Sequence, residues 1–336
     1  MDDTRGEFAG VDGRLNSWDA ARTSPRRAAG LRSAIESAAP DPAQPLATFR
    51  ENFERGASRL AMAPADVVAA IDSPVDMEWV YPENSDQPID RTTESALIYL
   101  HGGGFSVGSR RTGRPLASWL AHYVGLPVAN VGYALTPESA FGSAVDDVES
   151  VIGWLAEHHG LKRYVLVGDS AGATLSLMSA IRLNGHPKLF EPSGLVLISP
   201  SARPGASTES HERNAGLDPQ LPPALLRRFA ELSGVDPSSK LWPGLEFGAE
   251  LNLPPTLIHV GTDEVLLDDS VEIARMLLAR GTDVTLRGWP EMIHVWHTFA
   301  PRLDDANQAL AELGDWVRRV VDLPPAQEAV QSSSSV

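Results

Sequence analysis

The residues best suited to chemistry lie in "VLVGDSAGA", where Ser170 follows an apolar run and precedes a helical pattern. A Gly-x-Ser-x-Gly sequence in that setting is a nucleophile elbow. It is a sharp strand-to-helix turn that presents the serine hydroxyl at a helix N-terminus, where the helix dipole favours developing negative charge. Gly168 and Gly172 fit a turn in which the strand and helix backbones approach closely, and Asp169 belongs to the same motif. A hydroxyl is a poor nucleophile near neutral pH, so it needs an imidazole base, itself oriented by a carboxylate. Of the nine histidines, His294 lies in "WPEMIHVWHTFA", between the last strand pattern and the last helix pattern, where a loop can reach the sheet edge. His297 is its local rival. A His pair at this spacing also suggests a metal site, but no third ligand cluster is near, which favours a structural or solvated His297. His259 sits within a strand pattern, and His158 and His159 end a helix pattern, where an imidazole can cap carbonyls. The carboxylate is expected at Asp263, two residues past Gly261 at a strand end, whereas Asp268 and Asp269 read as dipole partners opening the next helix.

A second motif is "IYLHGGGFSVG", with His101, Gly102, Gly103 and Gly104 directly after another apolar strand pattern. Three successive glycines cost backbone entropy and add no packing, so neither helix nor strand explains them. A flexible linker is a poor fit between a buried strand and Phe105. The chemical reading is an oxyanion hole, in which the backbone N–H groups of Gly103 and Gly104, with that of Ala171 after the nucleophile, bind the oxygen of a tetrahedral intermediate. Phe105, Trp289, Met292 and Trp296 flank these motifs and are candidates for an apolar substrate pocket, although large apolar residues at such positions serve equally well as core.

The elements that must position these residues follow a regular exchange. Short apolar runs at 96–100, 127–131, 164–167, 195–198, 256–260 and 284–286 read as buried parallel strands, and helical patterns at about 112–123, 143–158, 170–183, 268–280 and 303–321 separate most of them. This predicts an α/β fold, a mostly parallel sheet with helices on both faces. Residues 1–75 read as a separate helical layer, with Leu46, Phe49, Phe53 and Leu60 near helical spacing. Residues 201–254 exceed what a crossover needs; they are proline-rich and hold one helical pattern, "PPALLRRFAELSG". Together these two segments are expected to form a two-part cap over a catalytic domain of residues 76–200 and 255–325, with 326–336 a polar tail.

Composition narrows the function further. Lys+Arg at 28 against Asp+Glu at 44 gives a net charge of −16 over 336 residues, which disfavours nucleic acid and anionic lipid as partners. There is no cysteine, so thiol catalysis, disulfides and thiolate metal sites are excluded. No membrane span or basic, apolar leader is expected, and the cytoplasm is the expected location. No P-loop or GxGxxG fingerprint points to a nucleotide.

The chain order Ser170, Asp263, His294 is that of an α/β-hydrolase. "HGGGF", "GDSAG", "GTDEVLLDDS" and "EMIHVW" together resemble the hormone-sensitive-lipase-like family of α/β-hydrolase carboxylesterases, in its branch with Asp before the serine, over about residues 78–320. "YALTPESAFGSAVDD" resembles a further family stretch, with Ala134, Thr136 and Gly142 where Arg, Ala and Pro are usual, and Ala173 replaces a second glycine after the elbow. The resemblance implies a serine carboxylester hydrolase acting on short- to medium-chain acyl esters through an acyl-enzyme. It implies a small-molecule ester as partner, no cofactor and no metal, and in many members a homodimer. A lactone hydrolase or acyltransferase would use the same residues, and a non-catalytic small-molecule receptor on the same fold would lack the base that His294 supplies.

Overall fold

The structure is a computed structural model and describes residues 32–37, 39, 41–60, 62–64, 67–70, 72–83, 93–205, 208–246, 248 and 251–324. Most of the proposed N-terminal layer before residue 32, and the tail from 325, lie outside the described residues. Eight strands form one sheet: β1 (Val67–Ala70), β2 (Asp76–Tyr81), β3 (Ser95–Leu100), β4 (Val128–Gly132), β5 (Arg163–Asp169), β6 (Gly194–Ile198), β7 (Thr256–Gly261) and β8 (Val284–Trp289). Their spatial order is β1-β2-β4-β3-β5-β6-β7-β8. From β4 to β8 all neighbours are parallel, while β2 runs antiparallel to both β4 and β1. The fold is therefore the expected mostly parallel sheet, extended at one edge by two strands that the alternation of apolar runs did not reveal. β1 falls within the stretch assigned to the N-terminal layer, so that layer gives way to the sheet by residue 67.

Every residue of β3, β6 and β7 is buried, as continuous apolar runs covered by helices on both faces require. One face is covered by α3 (Ser143–His159), α4 (Ala171–Leu183) and α7 (Leu267–Leu278), the other by α2 (Arg110–Val124) and α8 (Asp304–Val320). α2 starts at a capping box, with the Ser109 side chain accepting from Arg111 N–H and Thr112 reciprocating, and it stops at left-handed Gly125 (φ 75°).

The expected cap comprises α1 (Leu46–Leu60), a helical stretch at residues 32–37, and the insertion that carries α5 (Glu209–Arg213) and α6 (Pro223–Ser233). Its halves share a small core in which Phe49 of α1 meets Phe229 of α6, ring centroids 6.2 Å apart, with Val107, Leu225, Val265 and Leu266 around them. Burying each of these rings contributes roughly 1.5–3 kcal/mol. Polar straps add direction: Arg50 donates to the carbonyls of Ser106 (2.8 Å) and Thr136 (3.0 Å) and pairs with Glu138, while Ser109 Oγ donates to Glu54 (2.6 Å). No helix among the described residues is long and apolar enough to cross a membrane.

Candidate active site

Ser170 sits between β5 and α4 with φ 54° and ψ −122°, a strained conformation for a residue with a side chain. Two close approaches hold the turn. A Cβ on Gly168 would come within 2.2 Å of the Gly172 carbonyl oxygen, and one on Gly172 within 2.0 Å of the Leu100 carbonyl oxygen. Both glycines are therefore required by the contact of strand and helix, as their motif suggests. The Ser170 amide is held by the Ile198 carbonyl at 2.8 Å.

His294 Nε2 lies 2.9 Å from Ser170 Oγ, and its Nδ1 lies 3.1 Å from Glu264 Oε2. Glu264 is fully buried, and its other oxygen accepts from Ser199 Oγ (2.8 Å) and the Gly261 amide (2.6 Å). Burial works against an imidazolium at His294, but the hydrogen bond and charge of Glu264, helped by Asp218 and Asp169, outweigh it and raise the His294 pKa above its ordinary value. An imidazole held between a hydroxyl and a buried carboxylate is the arrangement that turns serine into a nucleophile.

The carboxylate that meets His294 is thus Glu264, not Asp263 as the sequence leads one to expect. Asp263 does not face His294. Its carboxylate receives Arg32 Nη2 at 2.7 Å, at the cap surface, and its amide donates to the Met292 carbonyl. Asp263 meets Thr262 Oγ1 and Arg32, while the longer glutamate, one position later, reaches His294. The signal was available: Glu264 opens the apolar run Val265–Leu267, and an α/β-hydrolase acid is Asp or Glu.

The glycine loop is equally specific. The Gly102 amide donates to Asp169 Oδ1 at 3.0 Å, and Tyr99 OH donates to the same oxygen at 2.5 Å. Burial raises the Asp169 pKa despite these bonds. Asp169 thereby pins the head of the loop to the nucleophile turn, and His101, stacked on Tyr133 and donating from Nδ1 to the Gly102 carbonyl (2.8 Å), supports it from behind. Burial lowers the His101 pKa to about 4, so the ring is neutral near pH 7. Gly103 lines the cavity beside Ser170, while Gly104 (φ 57°) faces the Phe229 ring so closely that a Cβ there would sit 2.1 Å from it. Ala171 is the first residue of α4, beside the nucleophile.

A cavity of about 180 Å³ opens at Ser170 between sheet and cap. Ile35, Phe53, Leu221, Leu225, Phe229 and Phe299 supply its apolar wall. Phe105, Met292, Trp289 and Trp296 are not on that wall. Phe105 packs on Phe141 and Trp242 in the sheet core, and Trp296 stacks with His259 and contacts Trp289. The Met292 carbonyl instead caps the acid loop through the Asp263 amide. All of that apolar wall but Phe299 comes from the segments expected to form the cap, whose residues no motif marks. His297 is buried, with Nε2 at 3.1 Å from His259 Nδ1 and no part in the Ser170 cluster. Among the described residues no group of three His, Cys, Asp or Glu could hold a metal.

With this geometry in place, the relatives decide the family. Residues 97–298 match the family model described as alpha/beta hydrolase fold. The chain belongs to the α/β-hydrolase fold family. It is 36% identical over 280 residues to an acetyl-hydrolase of Streptomyces hygroscopicus, covering 82% of this chain and 89% of that one. It is 33% identical over 276 residues to the esterase LipU of Mycobacterium tuberculosis, covering 79% and 91%. A crystal structure of an esterase from the bacterial hormone-sensitive lipase family superposes with TM-score 0.79 at 29% identity, covering 89% of this chain and 99% of that one. This α/β-hydrolase is a carboxylester hydrolase of the hormone-sensitive-lipase-like kind, as its motifs imply.

Proposed function

We propose that the enzyme hydrolyses small, uncharged carboxylic esters with short to medium acyl chains through an acyl-enzyme on Ser170. His294 takes the Ser170 proton as the hydroxyl attacks the ester carbonyl, and Glu264 stabilises the resulting imidazolium and keeps Nε2 aimed at the serine. The carbonyl oxygen, now an alkoxide, is received by the amides of Gly103, Gly104 and Ala171; the Gly102 amide is already engaged by Asp169. His294 then protonates the leaving alcohol, and a water activated by the same imidazole releases the acid.

The observation that carries this reading is the unbroken chain Ser170–His294–Glu264, at 2.9 and 3.1 Å, opening on an apolar cavity. Among the described residues that line the cavity the only Lys, Arg, Asp or Glu is Asp169, whose Oδ1 is taken up by Tyr99 and the Gly102 amide, which supports a neutral substrate. A panel of p-nitrophenyl esters from acetate to dodecanoate, with organophosphonate labelling mapped by peptide mass, tests it. Turnover with a preference for the shorter chains and label on Ser170 is the expected result. Label on another serine, or no turnover of any ester, overturns it.

A further inference from the structure

Asp218 belongs to the cap insertion, ahead of α6, and is 1% exposed. Its carboxylate touches both loops that carry the proposed triad. Oδ1 accepts from the His294 amide (3.4 Å) and from the Gln220 amide (3.2 Å), and Oδ2 accepts from the Val265 amide, next to Glu264 (3.3 Å). Its neighbour Gln220 completes the grip by donating to the His294 carbonyl at 2.5 Å. Asp218 makes no ion pair with Lys or Arg among the described residues; Arg32, which reaches the Leu217 carbonyl, is paired with Asp263. A buried carboxylate with only amide partners is costly unless a cation is near at some stage. The nearby group that becomes a cation during turnover is His294.

We propose that Asp218 is a positioning residue of the esterase, clamping the acid loop to the base loop and setting a second carboxylate against the His294 imidazolium. This rests on the reading of Ser170, His294 and Glu264 as a triad. The groups that bear on His294 are Glu264 at Nδ1, Asp218 behind its backbone and Asp169 across the nucleophile turn; those that bear on Asp218 are His294 and Glu264. Burial and Glu264 push the Asp218 carboxyl up to about 6, while His294 pulls the other way. Each carboxylate favours the imidazolium, so removing one lowers the basicity of His294.

Asp218→Asn tests this through the pH profile of kcat/KM for p-nitrophenyl butyrate. The expected result is an acid limb shifted to lower pH by roughly half to one unit and a plateau kcat reduced about tenfold, with KM changed less than twofold, since one lost charge contact is of that order. Asp218→Glu, which keeps the charge, should return the limb towards its original position. A merely structural residue would alter activity or melting temperature and leave the limb in place, and that outcome overturns the proposal. If Asp218→Asn does not fold, Asp218→Ser, which also removes the charge, takes its place, and an unmoved limb there overturns the proposal. Phosphonate labelling in the same samples separates the two levels. Label on Ser170 with an unmoved limb overturns the role of Asp218 only, whereas absence of label on Ser170 overturns the triad and this inference with it.

Discussion

Replacing Glu264 by Gln should cost far more activity than replacing Asp263 by Asn, although the two acids are adjacent. Glu264 faces three donors: Ser199 Oγ–H, the Gly261 amide and His294 Nδ1–H. A glutamine there offers one acceptor oxygen and one NH2 group. Whichever way the amide turns, an N–H meets another donor in a site with no exposure to water. The simplest relief is for His294 to move its proton to Nε2, the tautomer that cannot take the proton of Ser170. Wrong tautomer plus lost charge costs about 10⁴ in kcat, or about 5.5 kcal/mol of barrier. Asp263→Asn removes an ion pair whose side chains are 29% and 20% exposed, worth at most about 1 kcal/mol to cap docking, so kcat should stay within about threefold. Steady-state turnover of p-nitrophenyl butyrate, with thermal melting to verify folding, measures both. A larger loss for Asp263→Asn than for Glu264→Gln would refute the assignment.

Other outcomes follow from the same geometry. Ser170→Ala should fold normally and lose about 10⁶ in kcat, with no phosphonate incorporated; retained turnover would contradict the nucleophile. Because the His294 pKa is raised and only neutral imidazole acts as base, kcat/KM should climb on the acid side with a midpoint above 6.5, and a midpoint below 6 would contradict the Glu264 contact. Phe229→Ala should widen the cavity and raise the ratio of octanoate to acetate ester turnover, at about 3–5 kcal/mol in stability; an unchanged ratio would show that α6 does not bound the acyl site. Burial and Arg287 depress the His259 pKa to about 3, so below pH 6.5 the unfolded chain binds a proton that the native state refuses. Stability should fall with pH, by about 2 kcal/mol from 6.5 to 5, and melting curves of His259→Gln should show a flatter dependence.

What could be read from the sequence was what depends on local constraint. The six central strands and five of the flanking helices come from apolar periodicity, Ser170, Gly168 and Gly172 come from a turn that admits few residue types, and His294 comes from its place between the last strand and the last helix. β1 and β2 were not legible because edge strands carry a weaker pattern; Asp76 of β2 is exposed, and Glu78 is buried only because Arg110, Arg114 and Asn130 satisfy it. The pocket wall was not legible either. Ile35, Phe53 and Phe229 come from separate elements, and only their packing brings them to Ser170. Aromatic residues beside the motifs were poor guides because the loop that turns His294 towards Ser170 packs Trp296, two residues on, against His259 and Trp289.

The neighbours Asp263 and Glu264 show how cap and triad are joined. Glu264 points inward and meets His294 Nδ1. Asp263 points outward and holds Arg32, which also reaches the carbonyls of Leu217 and Glu291 and so ties the helical stretch at 32–37 to both catalytic loops. From the other half of the cap, Asn214 donates to the carbonyls of Thr262 (3.0 Å) and Glu264 (2.7 Å), and Gln220 donates to that of His294. Apart from the bond to the Leu217 carbonyl, each of these contacts ends on the backbone or the side chain of a loop that carries a proposed triad residue. The proposed cap therefore cannot be displaced as a free lid without loosening the loops of Glu264 and His294. Substitution at Asn214, which does not line the cavity, should lower kcat across all ester lengths and leave the chain-length preference unchanged, the opposite of what a change at Phe229 should do.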